Sequence, residues 1–149
     1  RADADIVVED LLWPETKAAS KRILSNTSTA LLRGEHVFSA RTSGELVCLD
    51  AGTGKEVWQT NTVTSLKNGS SIHLTPNGDS VLLVTDQGNL IRARLSSAGY
   101  QELSRVHLLD ATYPFNGRNV VWPPLAYANR HVFARNDKEL VCASLAAEP

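Results

Sequence analysis

The sequence contains no methionine, only two cysteines, and no long apolar run in its 149 residues. Its longest aliphatic stretch, residues 81–84, is far shorter than the roughly 20 residues of a membrane-spanning helix. Too few cysteines are present for a small disulfide-rich scaffold. The formal net charge of −1 gives no electrostatic reason to expect nucleic acid or an anionic membrane as partner. Without methionine, the start at Arg1 predicts a removed leader or a piece of a longer protein.

The sequence contains three copies of one pattern. Residues 36–48 and 131–142 are near copies that begin His-Val-Phe and end Glu-Leu-Val-Cys, and residues 80–91 form a weaker copy between them. The last copy is one residue shorter in its middle, where a hairpin turn tolerates a change of length. Gly44 and Gly88 lie at the same position of the first two copies, 44 residues apart. A period in the forties made of short strands is typical of four-stranded propeller blades.

Each copy predicts short strands separated by tight turns, as in the Asn77-Gly78 turn of the second copy. Only residues 14–24 have a pattern compatible with a short helix. The sequence therefore predicts an all-β fold, a β-propeller segment of three four-stranded antiparallel blades. The predicted strands, blade by blade, are 27–32, 37–41, 45–49 and 56–60; 72–75, 81–85, 89–94 and 100–106; 125–128, 132–135 and 139–144.

The repeats divide the chain into an N-terminal strand and linker, residues 1–25, and three blades. The blades are predicted at residues 26–65, 66–112 and 113–149. The third blade lacks a fourth strand, whereas residues 5–13 form a surplus strand ahead of the first blade. Because propellers avoid exposed sheet edges, we expect residues 5–13 of the same or a partner chain to complete the third blade.

The turn that ends the first blade carries a recognisable motif. The segment resembles the tryptophan-docking repeat of pyrroloquinoline-quinone-type propellers. It has the residues of that repeat at the same spacing: a small residue at 48, Asp50, Thr-Gly-Lys at 53–55 and Trp58. The small residue is cysteine here, in place of the usual alanine. An aspartate can accept backbone N–H bonds in such a turn, and a glycine can supply positive φ. The predicted docking residues are Cys48, Asp50, Thr53, Gly54, Lys55 and Trp58.

The resemblance extends over residues 26–145, although the motif is complete only in the first blade. The second blade retains Ala93 and Gly99 but lacks the aspartate and the tryptophan. The chain is most similar to the non-enzymatic branch, which resembles the lipoprotein of the outer-membrane β-barrel assembly machinery, and residues 128–142 resemble the last blade of planctomycete-type members. The resemblance implies a scaffold that binds a protein or peptide, has no cofactor and works in the periplasm or outside the cell.

A second interpretation is a fragment of a quinone-dependent dehydrogenase whose cofactor residues lie on absent blades. A third is a purely structural fragment with no binding surface. Catalytic quinoproteins of the superfamily use paired adjacent cysteines, a calcium-binding carboxylate cluster and a catalytic aspartate, and none of these can be matched to this sequence. Added quinone and calcium would stabilise the second kind of protein, since a ligand that binds the folded state raises its stability.

Other candidate sites have simpler explanations. Residues 52–55 resemble half of a phosphate-binding loop, but Leu49 and Glu56 stand where that motif needs glycine and serine or threonine. The four histidines have no metal-ligand spacing. Cys48 and Cys142 occupy equivalent positions two blades apart, beyond the roughly 7 Å limit of a disulfide. We therefore expect two buried thiols rather than a disulfide.

Three blades in a row leave two apolar faces uncovered, more than a soluble monomer usually exposes. We therefore expect a homo-oligomer, in particular a dimer that forms a six-blade ring. Within the chain, Trp58 is expected to be buried between the first two blades.

Overall fold

The computed structural model describes residue 13 and residues 24–146, and this part consists of strands and turns without a helix. The segments predicted at residues 5–12 and 14–23 lie outside it. Among the described residues no helix is long and apolar enough to cross a membrane. The strands are β1 Leu31–Arg33, β2 His36–Ala40, β3 Leu46–Asp50, β4 Glu56–Thr60, β5 Ile72–Asn77, β6 Ser80–Thr85, β7 Asn89–Ser96, β8 Gly99–His107, β9 Tyr113–Phe115, β10 Arg118–Val120, β11 Ala126–Ala128, β12 His131–Arg135 and β13 Leu140–Ser144.

The strands form three antiparallel meanders and one hairpin. The first sheet has the order β1-β2-β3-β4, the second β5-β6-β7-β8 and the third β11-β12-β13, while β9 and β10 pair with each other. Each strand therefore pairs with its neighbour in the sequence, as in a propeller blade. The predicted all-β fold is confirmed. The third sheet has three strands in the described part of the chain.

The structure differs from the predicted strands in two places. The first strand is shorter than predicted, since β1 covers only Leu31–Arg33. The hairpin of β9 and β10 was not predicted, although its turn contains Asn116 and Gly117, both with positive φ (47° and 74°). Asn-Gly between two short strands is a strong sequence signal for such a hairpin. The predicted blade boundaries enclose the observed sheets and otherwise stay predictions.

The first and second sheets pack face to face through one apolar cluster. Phe38, Leu46 and Cys48 of the first sheet lie in it together with Ile72 and Leu83 of the second, and all five are essentially inaccessible to solvent. The alternation of a strand places every second side chain on this face. Burial of branched aliphatic and aromatic surface therefore holds the two sheets together.

The second and third sheets pack through a smaller cluster. Leu82, Val84 and Leu90 of the second sheet contact Val132 of the third, with Tyr127 and Ala143 partly buried beside them. The opposite face of the third sheet is open: Leu140 is 72% exposed and Phe133 36%. This part of the molecule therefore ends in an uncovered apolar surface.

A buried ion pair joins the β9–β10 hairpin to the second sheet. Nη2 of Arg118 lies 2.7 Å from Oδ2 of Asp86, whose side chain is fully buried. The other carboxylate oxygen of Asp86 accepts a hydrogen bond from the Thr64 hydroxyl at 2.7 Å. The backbone N–H of Val121 donates to the carbonyl of Asp86 at 2.8 Å. Asp86, which follows β6, thus links the segments that enter and leave the second sheet.

Candidate binding groove and docking turn

The turn between β3 and β4 is held together by Asp50. Its Oδ1 accepts hydrogen bonds from the backbone N–H of Thr53 at 2.8 Å and from the Thr53 hydroxyl at 2.7 Å. These two bonds hold the pKa of Asp50 below its usual value, and the bond from the hydroxyl has the larger effect. The backbone N–H of Gly54 donates to the carbonyl of Asp50 at 2.8 Å. Lys55 is the last residue of the turn before β4. Cys48 is buried on β3, and this burial raises the pKa of its thiol.

Trp58 on β4 reaches from the first sheet to the second. Its indole Nε1 donates to the carbonyl of Ser96 at the end of β7 at 2.8 Å. Its ring lies 6.0 Å from that of Phe38 and packs against the cluster between the two sheets. The residue is half-buried, less than the full burial expected from the sequence. One edge of the ring therefore stays in contact with solvent while the other contacts the neighbouring sheet.

Trp13 contacts the first sheet as Trp58 contacts the second. Its Nε1 donates to the carbonyl of Ala51 at 2.7 Å. Gly54 has φ +69°, and a Cβ there would lie 2.5 Å from Cδ2 of the Trp13 ring, so the close approach needs glycine. Each of the two tryptophans donates to a carbonyl 38 residues further along the chain. The sequence contains a signal for this contact, because Trp13 lies about one repeat length before Trp58. The prediction that residues 5–13 complete the third blade did not take this spacing into account.

The second sheet has no tryptophan at the position of Trp58. Phe38, Cys48 and Trp58 face one another across β2, β3 and β4. In the second sheet the corresponding neighbours across β6, β7 and β8 are Leu82, Arg92 and Ser104. A serine and an arginine thus replace the tryptophan and the buried cysteine. Ala93, predicted to be the small residue of the motif in this blade, lies one position further along β7 and pairs with Val81 and Glu102. The space that an indole fills between the first two sheets is therefore left open between the second and third.

A groove of about 730 Å³ lies at that place. Its apolar part consists of Leu82, Leu90 and Val106 on the second sheet with Tyr127 and Leu145 at the third. A volume of this size is in the usual range for small-ligand or peptide side-chain sites, roughly 300–1,000 Å³. The groove therefore runs along the edge of the cluster that joins the two sheets, and Val106 and Leu145 are its exposed apolar side chains.

The polar side of the groove is basic. Arg92, Arg130 and His131 line it, and no aspartate or glutamate is among the described residues that do so. Nε of Arg92 donates to the Ser80 hydroxyl at 3.2 Å, which fixes the stem of that side chain. Arg130 lies in the turn between β11 and β12 with φ +60°. Two guanidinium groups at an apolar groove favour an anionic ligand.

Tyr127 adds an aromatic ring to the groove. Burial raises its pKa to about 12, so the hydroxyl keeps its proton at neutral pH. The side chain of Thr75 opposes this rise. Because the hydroxyl oxygen is buried beneath the surface, the ring and not the hydroxyl is the part of Tyr127 that a ligand in the groove would contact.

The remaining candidate residues do not form a site together. His36 and His131 begin β2 and β12, in different sheets. Among the described residues no three histidine, cysteine, aspartate or glutamate side chains are grouped closely enough to hold a metal ion. Cys48 and Cys142 are both free thiols, as predicted. The prediction that both are buried is wrong for Cys142, because it lies on the open face of the third sheet.

Comparison with solved structures shows the fold. The structure of BamB from Moraxella catarrhalis superposes with a TM-score of 0.54 at 17% identity, over 78% of this chain and 32% of that one. Two further structures superpose with a TM-score of 0.45 each. They are a europium-containing methanol dehydrogenase, at 14% identity, and the β-propeller domain of Cps50 (Swd1) from Myceliophteria thermophila, at 15% identity. They cover 80% and 78% of this chain but 28% and 42% of their own.

The chain thus spans about a third of the BamB structure, and the predicted β-propeller class is confirmed. No curated protein matches the sequence. The family model described as outer membrane protein assembly factor BamB matches residues 10–143. Because this match extends over nearly the whole sequence, the chain belongs to the pyrroloquinoline-quinone-type repeat family of the outer membrane protein assembly factor BamB.

Proposed function

We propose that this chain is a non-catalytic propeller segment that binds a protein or peptide in the groove between its second and third sheets. The observation that carries the proposal is the groove itself, which combines an apolar floor with the guanidinium groups of Arg92 and Arg130. Sites that bind peptides commonly combine an apolar pocket with a few fixed polar groups. The solved neighbour BamB is named as an assembly factor in the family description, which fits a protein-binding role.

A selection experiment tests this function. A random peptide library displayed on phage is panned against the wild-type chain and against Ser104→Trp, which places an indole where the first sheet has Trp58. Under the proposal the wild-type chain enriches peptides that the variant does not retain. Enrichment of the same peptides by both proteins, or none by either, would contradict a binding role for the groove.

The quinoprotein interpretation has a separate test. The chain is heated with and without pyrroloquinoline quinone and calcium, and its thermal midpoint is compared. We expect no shift, because a non-catalytic scaffold has no affinity for either. A midpoint that rises with quinone concentration would favour the quinoprotein interpretation, since stabilisation by a ligand follows its binding to the folded state.

We further propose that Cys48, Asp50, Thr53, Gly54, Lys55 and Trp58 act as a docking motif between consecutive sheets. The contacts of Trp13 with Ala51 and Gly54, and of Trp58 with Ser96, support this role. The family also supports a periplasmic or exported location. Fractionation of the native host with an antibody against the chain tests that location, and recovery in the cytosol would contradict it.

The open face of the third sheet supports assembly with a second copy. Phe133, Leu140 and Cys142 repeat Phe38, Leu46 and Cys48, and the corresponding pairs face each other across the same two strands in both sheets. In the first sheet these residues are buried by the second sheet. The same side chains on the third sheet form an exposed apolar surface, which a dimer would bury. The six-blade ring predicted from the sequence is one such dimer.

A further inference from the structure

The groove lies at the place where the second sheet lacks the tryptophan of the first. Between the first and second sheets, Trp58 packs beside Phe38 and donates to a carbonyl of the second sheet at 2.8 Å. Between the second and third sheets the corresponding position is Ser104, which lines the groove. An aromatic side chain from another molecule would find at this place an apolar surface of the same repeat architecture. Aromatic anchors that fill such pockets contribute a large part of binding energy.

The charged residues around Ser104 indicate which groups should flank the aromatic residue of the ligand. Arg92 lies directly opposite Ser104 across β7 and β8, so one guanidinium group borders the position of the missing ring. Arg130 borders the groove from the third sheet. With no carboxylate among the described lining residues, carboxylates of a ligand would meet two cations and no repelling charge. Guanidinium groups bind carboxylates through paired, charge-assisted hydrogen bonds.

We propose, building on the binding function proposed above, that the groove takes an acidic peptide segment containing one aromatic residue. The aromatic ring occupies the position beside Ser104 that Trp58 fills on the first sheet. Carboxylates on either side of that residue pair with Arg92 and Arg130.

A short labelled peptide tests the proposal. The probe is fluorescein-Glu-Asp-Trp-Asp-Glu-amide, and its binding to the full chain is followed by fluorescence anisotropy. Two control peptides replace the tryptophan by alanine or the four acids by their amides. We expect each control to bind about tenfold more weakly or worse, the effect typical of a lost anchor. Raising the salt from about 0.05 M to about 0.5 M should weaken the acidic probe but not its amide control.

Variants of the chain locate the site. Ser104→Trp should abolish binding by filling the position of the aromatic ring, and Arg92→Glu and Arg130→Glu should each weaken it about tenfold or more through charge reversal. The matched control is Arg94→Glu, because Arg94 is exposed on β7 like Arg92 but does not line the groove. Arg92 and Arg130 are exposed, so their variants keep the test valid if Ser104→Trp fails to fold.

The outcomes separate this inference from the function on which it rests. Binding that needs the tryptophan, the acids, Arg92 and Arg130 but not Arg94 supports it. No binding of the probe, equal binding of the control peptides, or equal binding by the groove variants overturns it. If the library selection meanwhile yields basic or purely aliphatic peptides that Ser104→Trp rejects, the groove is a binding site but its ligand class is wrong. If the selection also fails, the binding function itself is wrong.

Discussion

At the scale of single residues, Trp58 gives the most direct test of how the sheets are joined. Trp58→Ala removes its packing on Phe38 and its hydrogen bond to Ser96. A fully buried tryptophan would cost roughly 3–5 kcal/mol. Because this one is half-buried, we expect the free energy of unfolding to fall by about 2–4 kcal/mol. Urea denaturation measures this change, with Trp58→Phe as the control that keeps the ring and loses the N–H. An unchanged midpoint in Trp58→Ala would remove the docking role of this residue.

His73 on β5 provides a prediction about pH. Its Nε2 lies 3.2 Å from the carbonyl oxygen of Trp122. Burial lowers its pKa below 6.5, against a smaller raising effect of that carbonyl. Between the folded and unfolded pKa values only the unfolded chain binds the proton, so the free energy of unfolding rises with pH there. The contribution of His73 is therefore complete above about pH 6.5 and decreases as the pH falls toward its folded pKa.

Urea midpoints measured between about pH 8 and about pH 5 check this prediction. The wild-type midpoint should fall below about pH 6.5, and His73→Gln should reduce the fall. His107→Gln is the control, because His107 is exposed on β8. Equal slopes for His73→Gln and the wild-type chain would show that another group controls this range.

At the scale of strands and hairpins, the Asp86–Arg118 pair fixes the β9–β10 hairpin to the second sheet. Arg118→Met leaves the fully buried Asp86 carboxylate without its cation. Breaking a buried pair on one side costs about 3–5 kcal/mol, and we expect a loss of this size by urea denaturation. Arg41→Met, which breaks the partly exposed pair with Glu56, should cost about 1 kcal/mol or less. Similar losses in the two variants would mean that the buried pair has no special role.

The repeat pattern was sufficient to predict the sheets, because the period of two and the hairpin turns are local properties of the sequence. The groove could not be predicted in this way. The sequence shows that the second blade lacks the tryptophan, but the position of Ser104 opposite Arg92 follows from the pairing register of β7 and β8. The position of Trp13 likewise depends on a contact with the distant turn at Gly54. Register shifts and distant contacts follow from three-dimensional packing and leave only weak local signals.

At the scale of the whole molecule, the two ends of the segment differ. The sequence predicted an uncovered apolar face at each end, but Val47 and Leu49, at the centre of the outer face of the first sheet, are buried. The first sheet therefore exposes apolar side chains of its outer face only on its edge strands, at Leu32 and Val57, whereas the third sheet exposes Phe133 and Leu140 on its open face. A twofold contact between two third sheets would bury this surface in both copies with a single repeated interface. This arrangement is an alternative to the six-blade ring, in which the third sheet of one copy would contact the first sheet of the other.

Light scattering decides whether the open face binds a second copy. We expect a dimer at concentrations of tens of micromolar for the wild-type chain and a monomer for Leu140→Glu, because a carboxylate at the centre of an apolar interface would be buried without a partner. Leu32→Glu is the matched control, since Leu32 is 66% exposed but lies on the first sheet, and it should leave a third-sheet dimer intact. Loss of the dimer in both variants would instead indicate the ring, in which both end sheets contact the partner. A wild-type monomer would show that the third sheet does not bind a second copy under these conditions and would contradict both dimers.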